Sequence, residues 1–175
     1  MTPYVKKEII SWIKTILFAV AFALFITKIV IVNAHVPTSS MNHTIPNPSR
    51  VVAFRLQYLF SKPQRYDVVV FKFPDNEEQL FVKRIIGLPG ETVEIRQGKV
   101  YINGSDTPLP DDFTAEPPHS LDNGPYEVPE GHYFMMGDNR NSSDDSRRWN
   151  NTYVAEKKIL GKVIFCYYPE LKIIR

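Results

Sequence analysis

The stretch YDVVVFKFPDNEEQLFVKRII, residues 66 to 86, decides the fold of this chain. Residues 66–73 are mostly β-branched or aromatic and stop at Pro74, which is typical of a buried strand. Residues 75–78 predict a polar turn, and residues 79–86 predict the next strand, which the turn GLPG closes. The stretch therefore predicts two consecutive strands with a short connection between them.

The rest of the chain after residue 34 repeats this pattern of short apolar runs. The further predicted strands are residues 50–54, a hairpin over 92–102 that turns at Gln97-Gly98, and residues 132–137 and 161–168. Residues 103–130 hold six prolines and predict a loop. The sequence thus predicts a mainly β, antiparallel domain over 33–175, a barrel or a sandwich, in which 92–130 form a hairpin and a proline-rich loop insertion.

The N-terminus predicts one transmembrane anchor. Residues 9–32 are apolar apart from Lys14, Lys28 and a few hydroxyls, and such amines reach the headgroups from the ends of a span. Lysines are more numerous before this segment than after it, so residues 1–8 are expected in the cytoplasm and 33–175 outside the cell. A cleavable signal peptide, with a cleavage site at 32–34, and a buried core helix are the alternatives.

Composition excludes several classes of function. The net charge is +2 and no basic run with interleaved aromatic residues occurs, so no nucleic-acid partner is expected. One cysteine and four histidines without zinc-ligand spacing predict neither a metal nor another cofactor.

Lys83 is the unusual residue of the opening stretch. A central strand would bury its ammonium group, which lowers a lysine pKa and makes the amine a candidate base. Arg84 points to the other face, stays protonated and needs an acidic partner or water. The alternative is an edge strand on which Lys83 is solvated.

Two polar segments could complete such a site. The segment HVPTSSMNHTIP, residues 35 to 46, offers Ser40 as a nucleophile, although such serines commonly cap turns. The segment MGDNRNSSDDSRRW, residues 136 to 149, is dense in groups that orient other side chains. It lacks the glycine and the closing glutamate of a calcium loop, and a solvated polar loop is the other alternative.

The motifs PTSSM, YDVVVF, FVKRIIGLPGE and GDNRNSSDDSR, in that order behind one apolar span, closely resemble bacterial type I signal peptidases of the short Gram-positive form (peptidase family S26). The resemblance covers nearly the whole chain. It implies a membrane-bound serine endopeptidase that removes signal peptides from exported preproteins through a Ser-Lys dyad and an acyl-enzyme. It also implies a signal-peptidase-type β-domain, signal peptides of secreted preproteins as partners, and a monomer.

Matching positions imply the roles. Ser40 is the nucleophile, Lys83 is the general base, and the hydroxyl of Thr38 and the main-chain N–H of Ser40 hold the oxyanion. Ser143 orients the lysine amine. Asp145 supports the site through an arginine, with Arg84 and Arg147 as its expected partners, and Asp138 and Arg140 are structural.

Two positions depart from the family pattern: His43 replaces a usual proline, and Tyr66 replaces a frequent glycine. Residues 54–60 offer apolar groups that we expect to touch the outer leaflet of the lipid bilayer, with core packing as the alternative. The rival functions are a self-cleaving repressor, which would need a DNA-binding module, and a catalytically silent membrane-anchored β-domain that binds exported proteins.

Overall fold

The computed structural model describes residues 3–114, 116, 119 and 122–174. This part contains eleven strands: β1 Ile31–Val36, β2 Ser49–Phe54, β3 Val68–Phe73, β4 Asn76–Gly87, β5 Thr92–Arg96, β6 Lys99–Ile102, β7 Asn123–Glu127, β8 His132–Met136, β9 Val154–Ala155, β10 Ile159–Tyr168 and β11 Lys172–Ile173. The α-helices are α1 Pro3–Phe25 and α2 Gln57–Phe60. All strand pairs are antiparallel, so the predicted fold class is confirmed.

The N-terminal helix is long and apolar enough to cross a membrane. Helix α1 continues as a π-helical turn over Ile26–Val30, and the span Tyr4–Val30 has 27 residues with no part buried against the domain. At about 1.5 Å per residue, such a helix is longer than the roughly 30 Å hydrocarbon core of a bilayer. The helical structure ends at Val30, so the last residues of the predicted anchor, Ile31 and Val32, already belong to β1.

The larger sheet runs in the order β1-β2-β10-β3-β4-β8-β9, with β11 added to β10. Strands β3 and β4 form the hairpin that the opening stretch predicts, with Val69 opposite Lys83. The connection is tighter than predicted, because β4 begins at Asn76 and includes most of the expected polar turn.

A smaller sheet, β6-β5-β7, contains the predicted hairpin and one strand that the sequence did not reveal. Strand β7 lies in the segment predicted as a loop and pairs with β5, which aligns Val93 with Tyr126. The loop prediction over 103–130 is therefore wrong for Asn123–Glu127. Glycine and proline give the segment NGPYE a low intrinsic preference for a strand. Pairing with β5 stabilises the strand despite this low preference.

Among the described residues, strand β4 has neighbouring strands on both sides at its C-terminal end but on one side before it, and this difference leaves space for a cleft beside it. It pairs with β3 over most of its length, but β8 joins it only from Arg84 onward. In the described part of the chain, the side of β4 that faces away from β3 thus has no strand partner from Asn76 to Lys83. Strand β1 is likewise an edge strand, and among the described residues it pairs with β2 alone. The two free edges border one cleft.

Candidate active site

The Ser40 segment is fixed by core packing on one side and by hydrogen bonds on the other. Ser39–Met41 forms a single 3-10 turn shortly after β1, and the side chain of Met41 is fully buried in the core. The backbone N–H of Asn139 donates to the Ser40 carbonyl oxygen at 3.0 Å, and Asn139 Nδ2 donates to the Ser39 carbonyl at 3.2 Å. The serine backbone therefore has little freedom, as a positioned nucleophile requires.

The Ser40 hydroxyl lies in a cleft of about 550 Å³. The cleft is lined by His35, Val36, Pro37, Thr38, Ser40, Gln79, Leu80, Phe81, Val82, Lys83, Ser142 and Asp144. The Oγ1 of Thr38 is 3.2 Å from the Oγ of Ser40, within hydrogen-bonding distance. The structure thus brings Ser40, Thr38 and Lys83 together at one cleft, although they lie on separate segments of the chain.

Lys83 is buried, which excludes the solvated alternative. Its side chain enters the cleft from β4, only 4 % of the residue is exposed, and its Nζ lies 5.7 Å from the centre of the Phe81 ring. Burial lowers the pKa of Lys83 from 10.5 to about 8, against the opposing effect of the negative charges of Asp145 and Asp144. A substantial fraction of the amine is therefore neutral at slightly alkaline pH.

Asp145 lies behind the cleft and pairs with Arg147. Two nitrogens of the Arg147 guanidinium each contact a carboxylate oxygen at 2.8 Å, and the Gly137 N–H donates to Oδ2 at 3.0 Å. Burial acts to raise the pKa of Asp145, but the guanidinium outweighs it and holds the pKa below the usual range. Asp145 is therefore charged at neutral pH, and its negative charge acts to raise the pKa of Lys83.

The expected pairing of Arg84 with Asp145 is wrong. Arg84 instead forms a buried, two-point ion pair with Asp138, with distances of 2.8 and 2.7 Å, and donates to the Tyr66 carbonyl at 2.7 Å. The register explains this result: Arg84 is opposite Met136, and Asp138 follows two residues later. Neighbouring side chains on a strand point to opposite faces, so Arg84 does not share the face of Lys83.

Gly137 connects the nucleophile segment with Ser143. A Cβ placed on Gly137 would lie 2.3 Å from Ser143 Oγ and 2.4 Å from the Ser40 carbonyl oxygen. No side chain fits there, because real Cβ contacts are not shorter than about 3 Å. Ser143 is fully buried, so its hydroxyl lies inside the protein directly behind the turn that presents Ser40.

Several supporting residues escaped prediction from the sequence. The contacts of Gly137 and Asn139 with the Ser40 segment depend on folding and leave no local pattern beyond the GDNR motif. Arg140, expected to be structural, forms a two-point ion pair with Asp111 at 3.0 and 2.8 Å. Among the described residues, no group of three His, Cys, Asp or Glu side chains could hold a metal ion.

Both departures from the family pattern occur at left-handed backbone positions. His43 has a φ of 79° and Tyr66 a φ of 73°. Glycine adopts such a conformation easily, which agrees with its frequency at the position of Tyr66. Proline cannot adopt it, because its ring holds φ near −65°. The backbone at His43 therefore follows a path that the usual family residue would prevent.

Comparison with known proteins gives the class of the chain as a serine endopeptidase. Residues 9–168 match the family described as signal peptidase, peptidase S26, and the chain belongs to this family. The match spans most of the apolar helix and nearly all of the β-domain.

Individual relatives agree with this assignment. The chain is 37% identical over 161 residues to a probable signal peptidase I-2 of Synechocystis sp.. The aligned region covers 89% of this chain and 72% of the relative. The chain is also 36% identical over 176 residues to signal peptidase I S of Bacillus subtilis, covering 94% and 91%. A crystal structure of a signal peptidase I from Enterococcus faecalis is similar with 39% identity and a TM-score of 0.50, over 58% of this chain and 97% of that one.

Proposed function

We propose that this chain is a membrane-anchored enzyme that removes signal peptides from exported preproteins with Ser40 as nucleophile and Lys83 as general base. The observation that carries the proposal is the meeting of a positioned serine and a buried lysine of lowered pKa at one cleft. The family supports the signal-peptide substrate, since the relatives are signal peptidases.

The reaction begins with proton transfer from Ser40 Oγ to the neutral amine of Lys83. The serine oxygen attacks the scissile carbonyl carbon, and Thr38 Oγ1 with the Ser40 N–H stabilises the negative charge that develops on the carbonyl oxygen. The lysine ammonium then protonates the leaving amine, and an acyl-enzyme ester remains. Water, deprotonated by the same amine, hydrolyses the ester and restores the free serine hydroxyl.

The buried residues behind the cleft hold this pair in place. Ser143 orients the lysine amine from the interior, and Asp145 with Arg147 keeps the surrounding loop rigid. Arg84 belongs to a second ion pair, with Asp138, which fixes β4 to the segment after β8. These roles are positioning roles, because none of these five side chains is in the lining of the cleft.

The two free strand edges suit an extended peptide substrate. A peptide that enters the cleft lies beside the unpaired part of β4 and near the end of β1, where backbone groups are available for additional strand pairing. Because side chains of an extended peptide alternate, every second one would face the cleft wall. Small residues before the scissile bond fit such shallow contact.

The anchor places the cleft close to the membrane. Helical structure ends at Val30 and Ser40 follows ten residues later, a distance of at most about 35 Å in a fully extended chain. We propose that residues 1–8 are cytoplasmic, that the apolar helix from residue 9 to Val30 forms the membrane anchor, and that the chain from β1 onward forms the catalytic domain on the outer face. The enzyme acts as a monomer in this proposal.

Residues 54–60 provide a candidate lipid contact. Leu59 is 70% exposed and Phe60 is 89% exposed, whereas Tyr58 is turned inward and donates to Asp67 at 2.9 Å. We therefore expect Leu59 and Phe60, and not Tyr58, to touch the bilayer. A double Leu59→Ser and Phe60→Ser variant should reduce activity on vesicle-embedded preprotein more than on a short soluble peptide. Equal loss on both substrates would contradict this contact.

The full-length enzyme, purified in detergent, tests the catalytic proposal by cleavage of a preprotein. We expect Ser40→Ala and Lys83→Ala to abolish cleavage, whereas the matched controls Ser39→Ala and Lys72→Ala retain it. Thermal unfolding must show that all four variants are folded. Cleavage by a folded Ser40→Ala or Lys83→Ala variant would refute the dyad, and binding without cleavage by the unmodified chain would favour the silent binding domain.

A further inference from the structure

The catalytic cleft has an acidic side chain in its wall that the proposed reaction does not use. Asp144 lines the cleft together with Ser40 and Lys83, and it is exposed to solvent. Its neighbour Asp145 is buried and paired with Arg147. Across residues 3–114, 116, 119 and 122–174, no ion pair involves Asp144. Its carboxylate is therefore available to a bound substrate.

The other walls of the cleft leave this negative charge unbalanced. They consist mainly of apolar side chains and neutral polar ones, and the charges that could oppose Asp144 are those of Lys83 and His35. Lys83 must be neutral when it accepts a proton. In a cleft with low-dielectric walls, a single charge acts over a longer range than it does on an open surface. The competent enzyme thus presents a negative potential to its substrate.

We propose that Asp144 determines specificity, by favouring preproteins with a lysine or arginine near the scissile bond and disfavouring those with an acidic residue there. The proposal rests on the proposed function, because it concerns the substrate of that site. A single exposed ion pair has a modest effect, so we expect a two- to fivefold preference in kcat/KM for each charge, by the usual range for such pairs.

Asp144 also acts on the reaction itself through Lys83. Its negative charge stabilises the ammonium form and so raises the pKa of Lys83, as do Asp145 and Asp138, while Arg147 lowers it. His35, on β1, is the remaining titratable group at the cleft. Replacing Asp144 by asparagine should therefore move the acid limb of the kcat/KM profile to lower pH. A residue that only shaped the loop would not shift this limb.

The test uses full-length enzyme and three peptides that differ at one position near the scissile bond, where they carry Lys, Gln or Glu. The charge is then moved one position at a time along the peptide. We expect the order Lys, Gln, Glu in kcat/KM at one or more positions, and this order should weaken as salt is added. Asp144→Asn should reduce the differences, and Asp144→Lys should reverse the order.

Asp106→Asn is the matched control, because it removes the same charge from an exposed residue outside the cleft lining. This variant should keep the charge preference and the pH profile of the unmodified enzyme. Absence of any charge preference in the unmodified enzyme would overturn the proposal, as would a preference that Asp144→Asn and Asp144→Lys both preserve. Cleavage that survives in Ser40→Ala would instead overturn the proposed function, so the two failures are distinguishable.

Discussion

The pH dependence of kcat/KM should follow the protonation of Lys83. The amine must be neutral to accept the Ser40 proton, and burial lowers its pKa to about 8. With this pKa, about one-tenth of the amine is neutral at pH 7, compared with roughly one part in three thousand for an unperturbed lysine. Burial of this one side chain thus raises the population of the neutral amine at pH 7 by roughly 300-fold, although an amine of lower pKa is also a weaker base.

The assay is cleavage of a neutral peptide by full-length enzyme between pH 5.5 and 10.5, with activity corrected for the folded fraction at each pH. We expect kcat/KM to rise about tenfold per pH unit up to an inflection near pH 8 and then to level off. His35→Asn serves as the control, because His35 is the other basic group at the cleft. It should leave the inflection in place.

Two results would refute this reasoning. An inflection above pH 10 would mean that the cleft does not desolvate Lys83 when no substrate is bound. An inflection that disappears in His35→Asn would transfer the titration to the histidine and remove the support for a lysine base.

Three further variants test the structure around the dyad. Gly137→Ala should abolish most activity, because its Cβ would lie 2.4 Å from the Ser40 carbonyl oxygen. The control Gly87→Ala would place its Cβ 2.6 Å from Cγ2 of Val93 in the core, so it should lose stability but keep more activity per folded molecule. Asp138→Asn should lower the free energy of unfolding, measured with denaturant, by about 3–5 kcal/mol, because it breaks a buried ion pair. The control Glu77→Gln removes an exposed ion pair and should change this free energy little. Lys83→Met should abolish cleavage and raise the unfolding free energy at pH 7.

The sequence predicted the parts of the site that depend on local pattern. Alternation along β4 correctly assigned Lys83 and Arg84 to opposite faces. The end of the helix and the bounds of the strands that were predicted differ from the structure by only a few residues, whereas β1, β7, β9 and β11 were not predicted. The partner of Arg84 depends instead on the register between β4 and β8. The sequence of either strand alone does not specify that register. The sequence therefore indicated Asp145 as the partner of Arg84, whereas the actual partner is Asp138.

Contacts between distant segments limited prediction elsewhere in the same way. Strand β7 forms because β5 offers it a partner, although its own glycine and proline indicate a loop. Asp111 lies in the same predicted loop and holds Arg140 across 29 positions of sequence. The role of Gly137 depends on its closeness to a carbonyl almost one hundred residues away. Such contacts exist only in the folded chain, and no local sequence pattern indicates them.

The burial that makes Lys83 a base also destabilises the folded protein. Its folded-state pKa, about 8, lies below the unfolded value near 10.5, so the unfolded chain binds more protons between these limits. The contribution of Lys83 to stability therefore improves as pH rises from about 8 to about 10.5, and below pH 8 its burial costs about 3 kcal/mol. Lys83→Met removes this cost, which is why an inactive variant should be the more stable one. The rigid ion pairs of Asp138 and Asp145 beside β4 fit this requirement, because they fix the surroundings of a side chain that would otherwise gain by moving into water.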